Sequence, residues 1–242
     1  MRLTIVGCSP AWPNPGEAHS GYLVNGRGRL LLDCGPGVLG KLRERHGVWP
    51  QVDAIVITHW HLDHWGDIVP WVWGTKYGLG HDIPQPELWV PPKGAASLAA
   101  FGARFGTETM FEETFRLREY ADGETFATAA HMDVTACDVP HYRIETYALR
   151  VTDGTHTLAY SGDSAPSDRL TEVAHGADLF LCEATLAHGS LDAEPRGHLS
   201  ADEAVAAFRA SGAKELLITH RPCELGLEPG LRRAYEGLEI EL

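Results

Sequence analysis

Short apolar runs rich in Val, Ile and Leu recur along the chain, separated by Gly, Pro, Asn and Asp. Such runs predict short buried strands, because β-branched residues favour an extended backbone. The predicted strands are residues 3–8, 20–25, 30–33, 52–58, 88–90, 114–119, 132–139, 145–152, 157–160, 179–182 and 215–219. Strands dominate the first half and alternate with helices in the second, which indicates an α/β fold with two sheets packed between helices.

Helical patterns fill several of the gaps between these strands. They cover residues 38–45, 95–105 and 170–174, and a further helix begins after Ser200 and stops at residues 211–212. Ser200 and Glu203 form a capping-box pattern at its start. Proline is tolerated only in a first helical turn, so another helix is expected to begin at Pro70. A length of 242 residues suits one domain, residues 1–242.

Histidines cluster where the strand at residues 52–58 ends. His59 and His61 are two positions apart and point the same way in an extended backbone, so they can bind one cation together. If a helix then starts at Asp63, Asp63 and His64 project in new directions and can hold a second cation. Imidazole and carboxylate are the ligands of catalytic zinc, which predicts a metal site here.

Other polar residues also follow predicted strands. His141, Asp163, Glu183 and His220 each end or follow a strand, and Asp33 ends residues 30–33. Alone, each would more often be a turn or cap residue than a ligand. Their recurrence at strand ends, where α/β active sites form, makes them candidates for one common site.

The spacing His59-x-His61-x-Asp63-His64 resembles the signature of the metallo-β-lactamase fold superfamily. The resemblance implies a four-layer αββα sandwich. It implies that one metal is bound by His59, His61 and His141 and a second by Asp63, His64 and His220. Asp163 would bridge both metals, with a hydroxide between them, and Asp33 would support the metal histidines from behind.

Glu183 and His198 resemble a pair found in the ribonuclease Z branch, where a glutamate orients a histidine that acts as general acid. Taken alone, His198 is more often a residue that precedes a helix cap, and its place beside Glu183 is what favours catalysis. The tRNA-processing members carry an arm between their third and fourth metal motifs. Here His141 and Asp163 are only 22 positions apart, which leaves no room for the arm.

The resemblance is therefore closer to armless phosphodiesterases, including those that open cyclic ribose phosphates during phosphonate breakdown. Those enzymes often have a further Cys/His zinc site near the N-terminus, which is not evident in residues 7–20. The net charge of −13 also argues against tRNA, because phosphate contacts need Lys and Arg. The remaining composition is that of an ordinary globular protein.

These features predict a binuclear metal-dependent hydrolase, a phosphodiesterase acting on a small or cyclic phosphodiester. The metal-bridging hydroxide would be the nucleophile, Asp63 would also position or deprotonate the water, and His198 would protonate the leaving group. Two Zn²⁺ are expected, with Mn²⁺ or Fe as alternatives. Arg143 and Arg221 follow ligand candidates and would contact phosphate or lie at the surface, and Trp60 would line the cleft.

Three alternatives stay open at this stage. The same metals could hydrolyse a carboxylic ester, lactone or thioester; the chain could process tRNA 3′ ends; or it could be a non-catalytic metal-binding sensor.

Five cysteines without a C-x-x-C pair predict reduced thiols in a cytoplasmic protein. No apolar run predicts a signal peptide or a membrane span. The resemblance also implies a homodimer.

Overall fold

The computed structural model describes residues 1–192 and 194–242, without the side chain of His46. Its first sheet has the strand order β14-β1-β2-β3-β4-β5-β6. The neighbours from β3 to β6 are parallel, and the rest are antiparallel. The strands are β1 (Arg2–Gly7), β2 (Gly21–Asn25), β3 (Arg29–Leu32), β4 (Ala54–Val56), β5 (Glu87–Val90), β6 (Arg116–Glu119) and β14 (Glu239–Glu241).

The second sheet has the order β13-β12-β11-β10-β9-β8-β7. Its neighbours from β10 to β13 are parallel and those from β7 to β10 antiparallel. The strands are β7 (Thr125–Ala127), β8 (Asp133–Asp138), β9 (Tyr147–Thr152), β10 (Thr157–Tyr160), β11 (Leu179–Glu183), β12 (Glu215–Thr219) and β13 (Arg232–Arg233). β11 is fully buried, which explains its continuous apolar run.

Helices cover the outer faces of both sheets. They are α1 (Val38–His46), α2 (Leu62–Trp65), α3 (Ile68–Tyr77), α4 (Gly94–Ala103), α5 (Asp168–Val173) and α6 (Ala201–Ser211), with a 3₁₀ turn at Gly189–Leu191. The predicted capping box of α6 is confirmed, because the Ser200 amide donates to Glu203 Oε2 at 2.8 Å. Gly212 ends α6 with a left-handed φ of 66°, a conformation that glycine adopts without strain.

Three hydrophobic clusters define the layers. The central one joins the inner faces of the two sheets, with Leu3, Leu30 and Val56 meeting Leu149 and Leu179. A second cluster packs the first sheet against α1, α3 and α4, and a third packs the second sheet against α5 and α6. The predicted four-layer αββα sandwich is therefore confirmed.

The boundaries differ from the predictions at a few points. α3 begins at Ile68, two residues before the expected start at Pro70, so the proline lies inside the first turn, where its missing N–H costs nothing. Three strands, β7, β13 and β14, were not predicted, because each has only two or three residues and no apolar run. Among the described residues, no helix is long and apolar enough to cross a membrane.

The central cluster gives a stability prediction. Leu149 is completely buried between the sheets, so Leu149→Ala is expected to lower the free energy of unfolding by ~2–5 kcal/mol, through lost burial and a residual cavity. Leu79 is 56% exposed, and Leu79→Ala should change that free energy by less than ~0.5 kcal/mol. Chemical denaturation measures both, and equal losses in the two variants would contradict this packing.

Candidate metal centre

The histidine segment lies where β4 ends and α2 begins. His59 and His61 lie in the connecting segment, and α2 starts at Leu62, so Asp63 and His64 occupy its first turn. The helix expected to begin at Asp63 is therefore present and starts one residue earlier. Asp163, Glu183 and His220 lie at the carboxyl ends of β10, β11 and β12. These strand ends meet at one edge of the second sheet, which brings the three side chains to the histidine segment.

All seven predicted ligands lie together. They form two groups of four residues. In each group, every residue offers one nitrogen or oxygen atom that could bind a metal, and these four atoms all lie within 4.8 Å of one another. One group is His59, His61, His141 and Asp163, and the other is Asp63, His64, Asp163 and His220. These are the two sets that the family resemblance implies, and Asp163 is shared between them.

Two histidines are fixed by hydrogen bonds on the side facing away from the cluster. His64 Nδ1 donates to Asp33 Oδ2 at 2.7 Å. His59 Nδ1 donates to Thr58 Oγ1 at 3.0 Å, and that hydroxyl donates in turn to the Asp33 carboxylate at 3.0 Å. We assign these directions from the network, and they leave both Nε2 atoms with free lone pairs directed into the cluster.

Two more histidines are fixed in the same way from the other sheet. His220 Nδ1 donates to Thr185 Oγ1 at 2.9 Å, and Thr185 Oγ1 donates to Glu183 Oε2 at 2.8 Å. His141 Nδ1 donates to the Gly197 carbonyl oxygen at 2.5 Å. In metal sites such outer hydrogen bonds set the histidine tautomer and the ring orientation.

Three of the atoms directed into the cluster lack partners, whereas His141 Nε2 and His220 Nε2 each have one, His61 Nδ1 at 3.0 Å and Asp63 Oδ2 at 3.1 Å. Among the described residues, His59 Nε2, His64 Nε2 and Asp163 Oδ1 are buried and make no hydrogen bond. Asp163 Oδ2 lies 3.3 Å from His64 Nε2, and Asp63 Oδ2 lies 3.1 Å from His220 Nε2. Each buried atom without a partner costs about 1–3 kcal/mol. Several such atoms converging on one point fit a bound cation, so this His/Asp cluster is a metal-binding site.

The pKa shifts agree with that conclusion. Burial lowers the pKa of His59, His61 and His141, which favours the neutral imidazole that a metal needs. Burial also acts to lower the pKa of His64, but the carboxylates of Asp163 and Asp33 outweigh it and raise that pKa well above its usual value. The carboxylates around His64 therefore favour a positive charge at that point, carried either by a second proton on Nε2 or by a cation that takes its place.

His198 lies at the edge of the cluster with Glu183 behind it. His198 Nδ1 donates to Glu183 Oε1 at 2.9 Å and lies 3.9 Å from Asp163 Oδ2. Burial acts to lower the pKa of His198, but the Glu183 carboxylate outweighs it and raises that pKa to about 9. Glu183 is completely buried and also accepts from the Ser164 and Thr185 amides at 3.0 and 2.9 Å, so its position is fixed.

Three of the five described non-glycine residues with a positive φ lie at this site. Asp33, Tyr142 and His220 have φ angles of 58°, 51° and 48°, a region that residues other than glycine adopt at a cost. Asp33 and His220 belong to the metal cluster and its support, and the Tyr142 ring lies 5.5 Å from the His198 ring. Strain of this kind persists where surrounding contacts impose it, and it accumulates at functional sites.

Asp192 was not found from the sequence. Its carboxylate accepts from the Gly197 and His198 amides at 2.7 and 3.0 Å, and from the Tyr142 hydroxyl at 3.2 Å. Asp192 thereby fixes the backbone that carries His198. No local signal marks it, because Tyr142 is 50 positions away in the chain. Thr58 and Thr185 were missed for a different reason, since a hydroxyl at a strand end has no distinctive pattern.

The two arginines considered as phosphate contacts do not line the cleft. Arg143 is exposed, and Arg221 is buried. The Arg221 guanidinium donates to the carbonyls of Ala184 and Gly226 at 2.7 and 2.6 Å, so it joins two loops and lies neither at the surface nor among the residues that line the cleft. Trp60 does line the cleft, as expected from its place between two histidines.

Above the cluster opens a cleft of about 570 Å³. Its polar side is formed by His61, Asp63, Asp163, Thr185, His198 and His220. The remaining lining residues are Ala11, Trp12, Trp60, Leu62, Tyr142 and Leu186. This volume suits a small-molecule ligand.

Comparison with known proteins identifies the family. The β-lactamase superfamily domain matches residues 28–221. The uncharacterized protein ML1173 of Mycobacterium leprae is 37% identical over 92% of this chain and 78% of its own. The probable metallo-hydrolase YhfI of Bacillus subtilis is 33% identical over 96% of this chain and 91% of its own.

Two further comparisons extend this result. The crystal structure of YhfI, described as a metallo-β-lactamase fold protein, aligns with a TM-score of 0.83, 27% identity and 99% coverage of both chains. Ribonuclease Z of Mycobacterium bovis is 25% identical over 98% of this chain and 91% of its own. With the fold and the His/Asp cluster described above, these matches show that the chain belongs to the β-lactamase superfamily, in the ribonuclease Z-like branch of the metallo-β-lactamase fold.

Proposed function

We propose that this protein is a binuclear metal-dependent phosphodiesterase that hydrolyses a small or cyclic phosphodiester, with His198 as the general acid. The proposal rests on the 2.9 Å hydrogen bond between His198 and the buried Glu183. This pair lies beside the His/Asp cluster that can bind cations. The leaving oxygen of a phosphodiester needs a proton, and a histidine held by a buried carboxylate can supply it. The similarity to ribonuclease Z, a nuclease by name, supports phosphodiester chemistry.

The ligand set supports two cations. His59, His61 and His141 would hold one, Asp63, His64 and His220 the other, and Asp163 would contact both. Two divalent cations, Zn²⁺ or alternatively Mn²⁺ or Fe, would lower the pKa of water and neutralise charge that develops on the phosphoryl group.

Asp63 is the candidate for orienting the attacking water. Its side chain is 8% exposed and lines the cleft, whereas Asp163 is 2% exposed. Asp63 Oδ2 lies 3.1 Å from His220 Nε2, which leaves Oδ1 as a hydrogen-bond acceptor toward the cleft. A water held there would have its proton directed at the carboxylate and its lone pair directed at phosphorus.

His198 would complete the reaction. Glu183 accepts the Nδ1 proton and stabilises the imidazolium, so His198 can hold a second proton on Nε2, on the side of the cleft. When water attacks phosphorus and the bond to the leaving oxygen breaks, that proton passes to the leaving oxygen and releases an alcohol. His198 is then restored by a proton from the solvent or from the attacking water.

The cleft favours a small substrate. It has a volume of about 570 Å³, and no Lys or Arg is among its described lining residues. A tRNA needs many cationic contacts along its backbone. The segment between His141 and Asp163 contains β9, a turn and β10, with no inserted arm. These features support a small or cyclic phosphodiester and argue against tRNA 3′ processing.

A first prediction concerns the metals. Purified protein should contain two transition-metal ions per chain, as measured by elemental analysis. Asp33→Asn is expected to weaken metal affinity by about 10- to 100-fold in chelator competition, because the amide would direct an N–H group at the donors of His64 and Tyr160. Asp53 accepts one backbone amide far from the cluster, so Asp53→Asn is the matched control. Equal affinities in both variants would contradict the supporting role of Asp33.

A second prediction concerns His198. Methyl phenyl phosphate and methyl 4-nitrophenyl phosphate share the retained methyl group and differ in how much the leaving oxygen needs a proton. His198→Ala should lower kcat for the phenyl ester by about 10²- to 10⁴-fold and for the nitrophenyl ester far less. The exposed His175 supplies the control, His175→Ala, with both rates unchanged.

The same assay tests the alternatives. Equal losses on the two esters would contradict a general-acid role for His198. Lactones cleaved while both phosphodiesters stay intact would overturn the proposed function in favour of carboxylic ester chemistry. Full metal content without turnover on either class would favour a non-catalytic sensor.

A further inference from the structure

One wall of the cleft is apolar, and the proposed chemistry does not use it. Trp12, Leu62 and Tyr142 are 52%, 62% and 38% exposed and all line this cleft. Trp60 and Leu186 add partly buried apolar surface to the same wall. Single exposed apolar residues are common on proteins, but several around one concave site indicate a binding surface.

Trp12 is exposed although the loop that carries it is firmly held. His19 Nδ1 donates to the Pro10 carbonyl oxygen at 2.8 Å on one side of the tryptophan. On the other side, Asn14 Nδ2 donates to the Arg221 carbonyl oxygen at 3.2 Å, and Asn14 is buried. The loop is therefore attached at two points, to His19 ahead of β2 and to Arg221, which directly follows the predicted ligand His220.

The backbone on either side of Trp12 is restricted as well. Pro10, Pro13 and Pro15 fix their own φ angles, and the Asn14 Oδ1 atom accepts from the Cys223 amide at 2.8 Å. A ring presented on such a loop loses little conformational entropy when a ligand binds. Trp12 thus combines an exposed indole with a pre-organised position.

Tyr142 is also fixed in place. Its hydroxyl donates to Asp192 Oδ1 at 3.2 Å, and its ring meets the His198 ring edge-on at 5.5 Å. Gly197 lies so close to the Tyr142 ring that a Cβ there would come within 2.4 Å of it. The Tyr142 ring therefore has a fixed position in the cleft, directly beside the proposed general acid.

The charge of the cleft limits what can bind there. The described lining residues include the carboxylates of Asp63 and Asp163 and no Lys or Arg. The charge on a phosphodiester would be balanced at the cations and His198 alone, and a second phosphate would meet no cationic side chain. The part of the substrate beyond the phosphodiester is therefore expected to be uncharged.

From these observations we propose that the apolar wall is a specificity subsite that binds a planar, uncharged ring attached to a singly charged phosphodiester, with Trp12 as the main stacking residue. This inference rests on the proposed phosphodiesterase function and names its substrate class. Stacking on an indole favours flat rings over alkyl groups of equal size, since the two π systems attract in an offset arrangement.

The test compares substrates that share one leaving group. Bis(4-nitrophenyl) phosphate and methyl 4-nitrophenyl phosphate both release nitrophenolate, and they differ in the group that stays on phosphorus. The ratio of the two kcat/KM values is compared between each variant and the wild type. A substitution that slows the chemical step equally for both esters leaves this ratio unchanged. Trp12→Ala is expected to lower this ratio about tenfold through KM, while Trp12→Phe should retain most of it. Tyr77 is 76% exposed and not among the cleft residues, so Tyr77→Ala should leave the ratio unchanged.

A binding measurement separates stacking from general apolar contact. Diphenylphosphinate and dicyclohexylphosphinate are similar in size, carry one negative charge each and have no P–O–C bond to hydrolyse, and only the first has planar rings. Calorimetry on the metal-loaded wild type should show tighter binding of the diphenyl compound, and Trp12→Ala should remove the difference. Equal binding of the two phosphinates by the wild type, or a kcat/KM ratio that is unaffected in Trp12→Ala, would overturn the subsite. If the wild type cleaves neither nitrophenyl ester, the proposed function fails, and the calorimetry still decides whether the ring binds.

Discussion

The metal centre depends on hydrogen bonds made by the outer nitrogens of its histidines. His59 and His64 are anchored on Thr58 and Asp33, and His220 is anchored on Thr185. Each anchor holds a proton on Nδ1 and leaves Nε2 with a lone pair that faces the cluster. Without these anchors the rings could rotate and pair with one another or with solvent. A cation site needs several lone pairs held at one point, and the anchors provide that.

The two sheets share the support of this arrangement. Asp33 follows β3 in the first sheet, and its carboxylate also accepts from the Tyr160 hydroxyl of β10 in the second sheet at 2.8 Å. The Tyr22 hydroxyl of β2 likewise contacts Thr219 Oγ1 of β12 at 2.8 Å. Residues from both halves of the sandwich therefore fix the same cluster. Correct packing of the central core is a condition for the metal site, and the strained φ angle of 58° at Asp33 shows how tightly its position is imposed.

The sequence predicted the parts of this molecule that have local signals. Apolar runs gave the long strands, and the segment from His59 to His64 gave the cluster, because ligand spacing and strand ends are local features. The features that were not predicted depend on contacts between residues far apart in the sequence. The hydrogen bond between Tyr142 and Asp192 joins residues 50 positions apart. β14 is a strand because it pairs with β1 from the opposite end of the chain. Arg221 looked available for phosphate, yet three-dimensional neighbours turn its guanidinium toward backbone carbonyls.

The charges in and directly behind the cluster support the proposal that the substrate carries one negative charge. Four carboxylates, those of Asp33, Asp63, Asp163 and Glu183, are buried in or directly behind the cluster. Two divalent cations would bring four positive charges and a protonated His198 one more, against the four negative charges of these carboxylates. The site would then carry one net positive charge before the attacking water loses its proton, and the single negative charge of a phosphodiester would neutralise it. A substrate with more charge would be buried uncompensated, because no cationic side chain is among the described lining residues. In the proposed function, electrostatics would therefore restrict the reacting group, and the apolar residues of the cleft would discriminate among the groups attached to it.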